Sequence, residues 1–313
     1  MNNPPLVIYH KQLGDVLMFE PALAKLAALT GGSVRFSTRA SFAPMISLME
    51  NVEPAGYDPL RYASAVYSFS ERFHAAFKAL ITLSPEKRFI AIVQAHIRPW
   101  HHLVYRAGCS VAKRVAPYQA EHFFDNIPCP ATMPFRPPRL LAPPSEWLPE
   151  GLPDEYVLLH ATSAWKRKSW PSERWAAVLN DLHDAGLGPF VLTGGAADWE
   201  REFVAAIQRG TRARVLDLSG KTNLESYLAI VSKARMVLCI DGSATHLAAA
   251  FRRPVLTLFG PTPAARWHYA SETSAMVDAK DFTPEAKPAV SYIPEEVVTQ
   301  AALSLWGRCV VQS

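Results

Sequence analysis

The chain has 313 residues, 49% hydrophobic and 19% charged, with a formal net charge of +4. That length exceeds one ordinary core and suits two domains of roughly 150 residues each. The composition excludes a disordered chain, and the lack of any run of about 18 uncharged apolar residues excludes a membrane-spanning helix.

The basic surplus lies in the first half: residues 1–150 hold 15 Lys and Arg against 11 Asp and Glu, and the remainder holds 17 against 17. Without Lys/Arg tracts it does not point to nucleic acid. It suits an anionic small substrate or the negatively charged inner face of a membrane, or it is scattered solvated charge. The start, MNNPPLVIYHKQLGD, lacks a basic region followed by an apolar one, so no secretory signal is read and the cytoplasm is the default expectation. Cys109, Cys129, Cys239 and Cys309 are dispersed without a CxxC, which reads as free thiols in a reducing compartment and no metal site.

In chain order, strands and helices alternate. Leu6–Tyr9 reads as a strand, followed by a helix from about Asp15 to Leu29, where Val16, Leu17, Phe19, Leu23, Leu26 and Ala27 recur at helical spacing. Val34–Ser37 is a second strand, Ser70–Leu83 a helix with Ser70 as its cap, and Phe89–Ala95 a buried strand. Residues 127–153 then hold nine prolines. Proline removes donors and fixes φ, so this stretch is an extended linker between an N-terminal domain over 1–145 and a C-terminal domain over 154–313. Beyond it the pattern predicts strands at Tyr156–His160, Phe190–Thr193, Val215–Asp217, Met236–Ile240 and Val255–Phe259. Helices are predicted at Pro171–Ala185, Asp198–Arg209, Leu224–Lys233, Thr245–Phe251 and Pro294–Leu305, the last a candidate to pack back on the N-terminal domain. Alternation on both sides of a linker argues for two doubly wound parallel sheets, whose ligands bind beyond the carboxyl ends of the strands.

Five strand-to-helix connections carry polar residues. In YHKQLGDVL, Asp15 either caps a helix or presents a carboxylate able to take a proton from a hydroxyl. In HATSAWKRKSWPSERW, Thr162 and Ser163 precede Lys166, Arg167 and Lys168, a pattern suited to phosphate or simply a solvated basic loop. VLTGG brings Gly194 and Gly195, which turn the chain or admit a close ligand, although no GxGxxG or GxxxxGK[ST] occurs. In SGKTNLESYL, Thr222 or Asn223 caps a helix, and Glu225 either belongs to that cap or meets a ribose diol. In DGSATHLAAAF, Asp241 ends a strand, and the amides of Gly242, Ser243, Ala244 and Thr245 lie where a helix starts. Such unpaired amides with the helix dipole form an anion site, and His246 falls in the first turn as ligand or structural residue. The neighbouring LFGPTPA supplies a further strand end with Gly, Pro and Thr.

The segments LGDVL, HATSAWKRKSWPSERWAAVL, VLTGG and LSGKTNLESYLAIVSKARMVLCIDGSATHLAAAFRRPVLTLFGPT resemble the heptosyltransferases of glycosyltransferase family 9. The resemblance implies an α/β GT-B fold, with two Rossmann-like domains facing a central cleft and the nucleotide-sugar donor on the C-terminal one. It implies inverting, metal-independent transfer of heptose from ADP-heptose to a lipopolysaccharide core or related glycan, with no cofactor beyond the ADP-sugar. Asp15 corresponds to the general base. Lys168, Thr162 and Ser163 correspond to phosphate contacts, and Glu225 to a carboxylate near the ribose. Asp241–His246 corresponds to the family's Asp–Ser/Thr–Gly–x–x–His turn, with Gly194 on the same donor side. Two departures stand out: the turn reads Asp-Gly-Ser, and Lys11 and Gln12 precede Asp15 where the family often has Ser or Arg, on the acceptor side. The alternatives are another nucleotide sugar or acceptor within the family, a protein acceptor included, or a catalytically silent sugar-nucleotide-binding scaffold. The dispersed cysteines argue against the branch that modifies autotransporters.

Overall fold

A computed structural model of the chain describes residues 4–56, 65–68, 88–93, 110–111, 116–127 and 133–310. The expected helix capped by Ser70, and Cys109 and Cys129, lie outside the described residues. Two units emerge, Met1–Leu141 and Ala142–Ser313.

The N-terminal unit contains β1 (Leu6–Ile8), β2 (Val34–Ser37), β3 (Val52–Ala55), β4 (Ala65–Ser68), β5 (Arg88–Val93) and β6 (Ser110–Val111). They form one sheet in the order β3-β2-β1-β4-β5-β6, every neighbouring pair parallel. Pro54, which lacks a ladder donor, is tolerated because β3 is an edge strand. The single helix expected after β1 is instead two, α1 (Leu13–Leu17) and α2 (Glu20–Thr30). The cause is Pro21: its ring and missing N–H deny Leu17 the bond a continuous helix would make, and proline is accommodated at the new helix's first turn. A short α3 (Ala43–Ile46) follows β2, and α4 (Gln119–Asn126) packs on α2. Phe19, Phe36, Phe123 and Tyr9 make an aromatic cluster, with Phe19 and Phe123 centroids 4.1 Å apart.

Two buried charges organise this unit. Lys25 of α2 donates to Phe124 O at 2.8 Å and lies 4.5 Å from the Phe124 ring, placing a cation at the C-terminal end of α4, where the helix dipole favours it. Glu20 accepts both Nη atoms of Arg136 at 2.7 Å and the Arg139 N–H at 2.9 Å. The proline-rich segment is thereby pinned to the first turn of α2, and Leu141 N–H bonds Leu48 O just before the unit boundary.

The C-terminal unit contains β7 (Val157–His160), β8 (Phe190–Thr193), β9 (Val215–Asp217), β10 (Met236–Ile240), β11 (Val255–Phe259) and β12 (Ser274–Asp278). Its order is β12-β11-β10-β7-β8-β9, again wholly parallel. β10 and β11 are buried at every position, as parallel strands covered on both faces must be. The helices are α5 (Ser172–Asp184), α6 (Asp198–Gly210), α7 (Leu224–Lys233), α8 (Ser243–Ala250), α9 (Ala264–Trp267) and α10 (Glu295–Val310). In α5, Trp175, Val178, Leu179 and Leu182 make the buried face. Trp170 is fully buried against Trp175 and donates its indole N–H to Ile293 O at 3.1 Å. The closing helix α10 packs on α5, β11 and β12 of its own unit and runs to Val310, beyond the expected end. No helix among the described residues is long and apolar enough to cross a membrane.

Both sheets reverse winding direction beside their first strand, between β1 and β4 and between β7 and β10. Such switch points open a crevice at the strands' carboxyl ends. Removing the buried Glu20's partner strands its charge, so Arg136→Ala should destabilise the protein by about 3–5 kcal/mol. Urea unfolding should show this loss, and Glu20→Gln combined with Arg136→Ala should recover part of it.

Candidate functional site

The Asp241 connection is the best-defined polar centre of the C-terminal unit. β10 ends at Ile240, and Gly242 adopts an extended conformation that turns the chain into α8. Lys168, at the end of a 3-10 turn after β7, donates to Asp241 Oδ2 at 2.6 Å. Thr262, from the connection after β11, donates to the same oxygen. Residues 73 positions apart thus meet at the β7–β10 switch point, and both charges are largely withdrawn from water. An ammonium has three N–H donors, so pairing with Asp241 leaves two beside the α8 N-terminus.

The rest of the turn divides by side chain. Ser243 is the first residue of α8, half-buried, and Ala244 is fully buried. Thr245 points its hydroxyl into the core, where it donates weakly to Ile240 O at 3.5 Å and accepts from Thr257 at 3.2 Å, beside Cys239 Sγ. Thr245 therefore has only its backbone N–H to offer a ligand. Burial pushes His246 down to about 4, against the opposing pull of Asp241 and with Lys168 and His268 adding to the fall. His246 is thus a neutral imidazole at pH 7, 6.1 Å from the Trp267 ring.

At the neighbouring strand ends, Thr162 Oγ1 is buried without a hydrogen-bond partner among the described residues. A Cβ on Gly194, which begins the connection after β8, would lie 3.1 Å from that oxygen, so glycine keeps the approach open. Ser163 instead closes its own loop, bonding the N–H and carbonyl of Trp165 at 3.2 Å. Trp165 is 56% exposed, and the Lys168 ammonium lies 5.1 Å from its ring. Glu225 sits half-buried in the first turn of α7, capped by Asn223, whose side chain accepts the Ser226 N–H at 2.8 Å. No hydrogen bond or ion pair among the described residues joins Glu225 to the Lys168–Asp241 pair.

In the N-terminal unit, Asp15 lies on α1 at the carboxyl end of β1 and accepts the Gln12 N–H at 3.4 Å. This is one half of a capping box, so the capping role is present. Arg39, after β2, donates to Gln12 Oε1 at 3.4 Å, while Lys11 is exposed.

Thr262 and His160 are parts of these strand ends that reading along the sequence did not assign. His160 ends β7, bonds Thr193 Oγ1 at 3.0 Å, and is held neutral by burial, near a pKa of 4. The signal for Thr262 was the further strand end LFGPT, whose value depends on β11 lying next to β10. Among the described residues, no group of three or more His, Cys, Asp or Glu gathers as a metal-binding cluster.

Two tests follow from this geometry. Lys168→Ala leaves Asp241 a buried charge held only by Thr262, and should destabilise by about 3–5 kcal/mol. Adding Asp241→Asn should restore part of that loss in denaturant titrations. Because His160 and His246 are depressed in the folded state, the unfolded chain binds their protons first as pH falls. Stability should drop below about pH 6.5, by about 1.4 kcal/mol per pH unit for each histidine, before carboxylates titrate. Thermal unfolding from pH 7 to 5 measures this, and replacing both histidines with Gln should reduce the slope, leaving the contribution of His268, which burial also depresses.

Residues 140–289 match the model of glycosyltransferase family 9 (heptosyltransferase). Lipopolysaccharide heptosyltransferase 3 of Escherichia coli is 30% identical over 118 residues, which cover 37% of this chain and 34% of that protein. The sequence match thus spans about a third of the relative's length. Among solved structures, a glycosyl transferase family 9 protein from Veillonella parvula superposes with a TM-score of 0.80 at 15% identity, covering 100% of this chain and 99% of the other. The ADP-heptose lipopolysaccharide heptosyltransferase II of Escherichia coli gives 0.77 at 20% identity, covering 99% of each. At such identities the likeness speaks to the fold, which is GT-B: two Rossmann-like units, each with a wholly parallel sheet. Residues 140–289 are a glycosyltransferase family 9 domain, and the resemblance read from the sequence holds.

Proposed function

We propose that the protein is an inverting, metal-independent glycosyltransferase that moves heptose from ADP-heptose to a lipopolysaccharide core or related glycan. The observation that carries this reading is the Lys168–Asp241 pair beside the α8 N-terminus, inside a family 9 domain. The pair fixes an ammonium next to unpaired helix amides, and together they suit a diphosphate. The kinship with lipopolysaccharide heptosyltransferases supports the donor and acceptor classes. The basic surplus of residues 1–150 supports an anionic acceptor and peripheral contact with the inner face of the cytoplasmic membrane.

Asp15 takes the proton from an acceptor hydroxyl while that oxygen attacks C1 of the donor sugar. The C1–oxygen bond to the diphosphate breaks, ADP leaves with the electron pair, and attack from the opposite face inverts the configuration. Lys168 and the amides of residues 243–245 stabilise the charge gathering on the leaving group, an interaction stronger in the transition state than in the ground state. Glu225 meets the ribose, and Thr162, Gly194 and His246 support the donor. Lys11 and Gln12 serve the acceptor. No cofactor beyond the donor is required.

The test pairs binding with transfer. An ADP-sugar at a hundred times its Kd should raise apparent stability by about 2.7 kcal/mol, while UDP- and GDP-sugars should not. Asp15→Asn keeps the capping acceptor but removes the base, and transfer should fall about 10²–10⁴-fold with ADP stabilisation unchanged. Absence of any shift with ADP-sugars removes the donor assignment, and full transfer by Asp15→Asn removes the base assignment.

A further inference from the structure

Tyr227 plays no part in the reading above, yet it is built into the same strand ends. It is the fourth residue of α7, and its ring lies against His160, with centroids 5.3 Å apart and planes tilted 40°. His160 is itself anchored at 3.0 Å to Thr193 at the end of β8. This stack fixes the phenol above the carboxyl ends of β7 and β8. The Tyr227 hydroxyl is buried and makes no hydrogen bond of ordinary geometry among the described residues. The side chain beside it is Ser243, the first residue of α8. Burial raises the phenol far above its usual pKa, so the group stays protonated and able to donate.

Buried polar groups are nearly always paired, and an orphan in a folded protein asks for its missing acceptor. A phenylalanine would keep the ring contact with His160 and avoid the orphan. Buried hydroxyls without a partner among the described residues near these strand ends include Thr162 Oγ1, Ser169 Oγ next to Lys168, and Tyr227 Oη. At the neighbouring strand end the Lys168 ammonium and the α8 N-terminus offer donors only, while the Ser243 hydroxyl beside Tyr227 can donate or accept. A ligand rich in anionic oxygen would accept from the phenol, the remaining ammonium hydrogens and the helix amides together. His160, neutral beneath the ring, adds no competing charge.

We propose that Tyr227 donates its hydroxyl hydrogen to a diphosphate oxygen of the nucleotide sugar, beside Ser243 and the α8 amides. This rests on the donor reading above and adds a contact from a residue that reading did not use. Tyr227 is a binding residue; it exchanges no proton with the reacting atoms.

Tyr227→Phe tests the role, with ADP as the probe. A hydrogen bond to a charged oxygen should appear as a loss in ADP affinity of about tenfold to a hundredfold, read by calorimetry. The unliganded variant should unfold at the same temperature as the parent or slightly above it, because an orphan hydroxyl has been removed. ADP affinity unchanged in the variant overturns the proposal while leaving the donor reading intact. A melting temperature several degrees lower without ligand also overturns it, since the hydroxyl would then serve the fold. Failure of the parent protein to bind ADP overturns the donor reading and this role together.

Discussion

The C-terminal unit is arranged around one carboxylate. Asp241 closes β10, and its Oδ2 receives Lys168 from the β7 connection and Thr262 from the β11 connection. Three adjacent strands, β7, β10 and β11, are therefore tied together just past their carboxyl ends. A buried ion pair contributes little to stability once desolvation is counted, so its value lies in placement. It keeps a flexible lysine beside the first turn of α8, with its position set before any ligand arrives. Preorganised charge of this kind needs no rearrangement as negative charge grows on a leaving group.

The surroundings of that pair reinforce one polarity. His246 is buried and His160 part-buried, and both are held neutral by desolvation, so neither adds a mobile charge near neutral pH. Thr245 and Thr257 spend their hydroxyls on each other beneath the turn, which leaves backbone amides as the groups available above it. Gly194 preserves space beside Thr162 that any side chain would fill. Small residues, neutral rings and helix amides together give the environment on which the proposed diphosphate site rests, from parts that are individually ordinary in any parallel sheet.

How much of this could be read from residues alone depended on whether the signal was local. β10 and β11 are continuous apolar runs and were legible to the residue. β12, SAMVD, is broken by an exposed Met276 and carried no such run. The break between α1 and α2 was written in Pro21, but the apolar spacing ran straight through it and masked the stop. In the site, Asp15, Lys168 and Asp241 were found as charged residues at strand ends. That Lys168 and Asp241 touch was not, because only the strand order makes β7 and β10 neighbours. Tyr227 read as an ordinary helix residue; its significance arises from an unpaired hydroxyl, which no spacing rule reports. The swap to Asp-Gly-Ser was visible, and its consequence, a serine at the helix's first position beside Tyr227, needed coordinates.

Cys239 lies one residue before the end of β10, fully buried between the hydroxyls of Thr245 and Thr257, its thiol pushed up to about 11 by burial. A thiol so protonated and enclosed is chemically silent toward alkylating reagents while the unit stays shut. Each modification event at this position therefore counts an opening of the sheet at its switch point. The protein carries, directly beneath the Asp241 turn, a reporter whose labelling rate would time how often that part of the fold breathes and how strongly an occupant holds it closed.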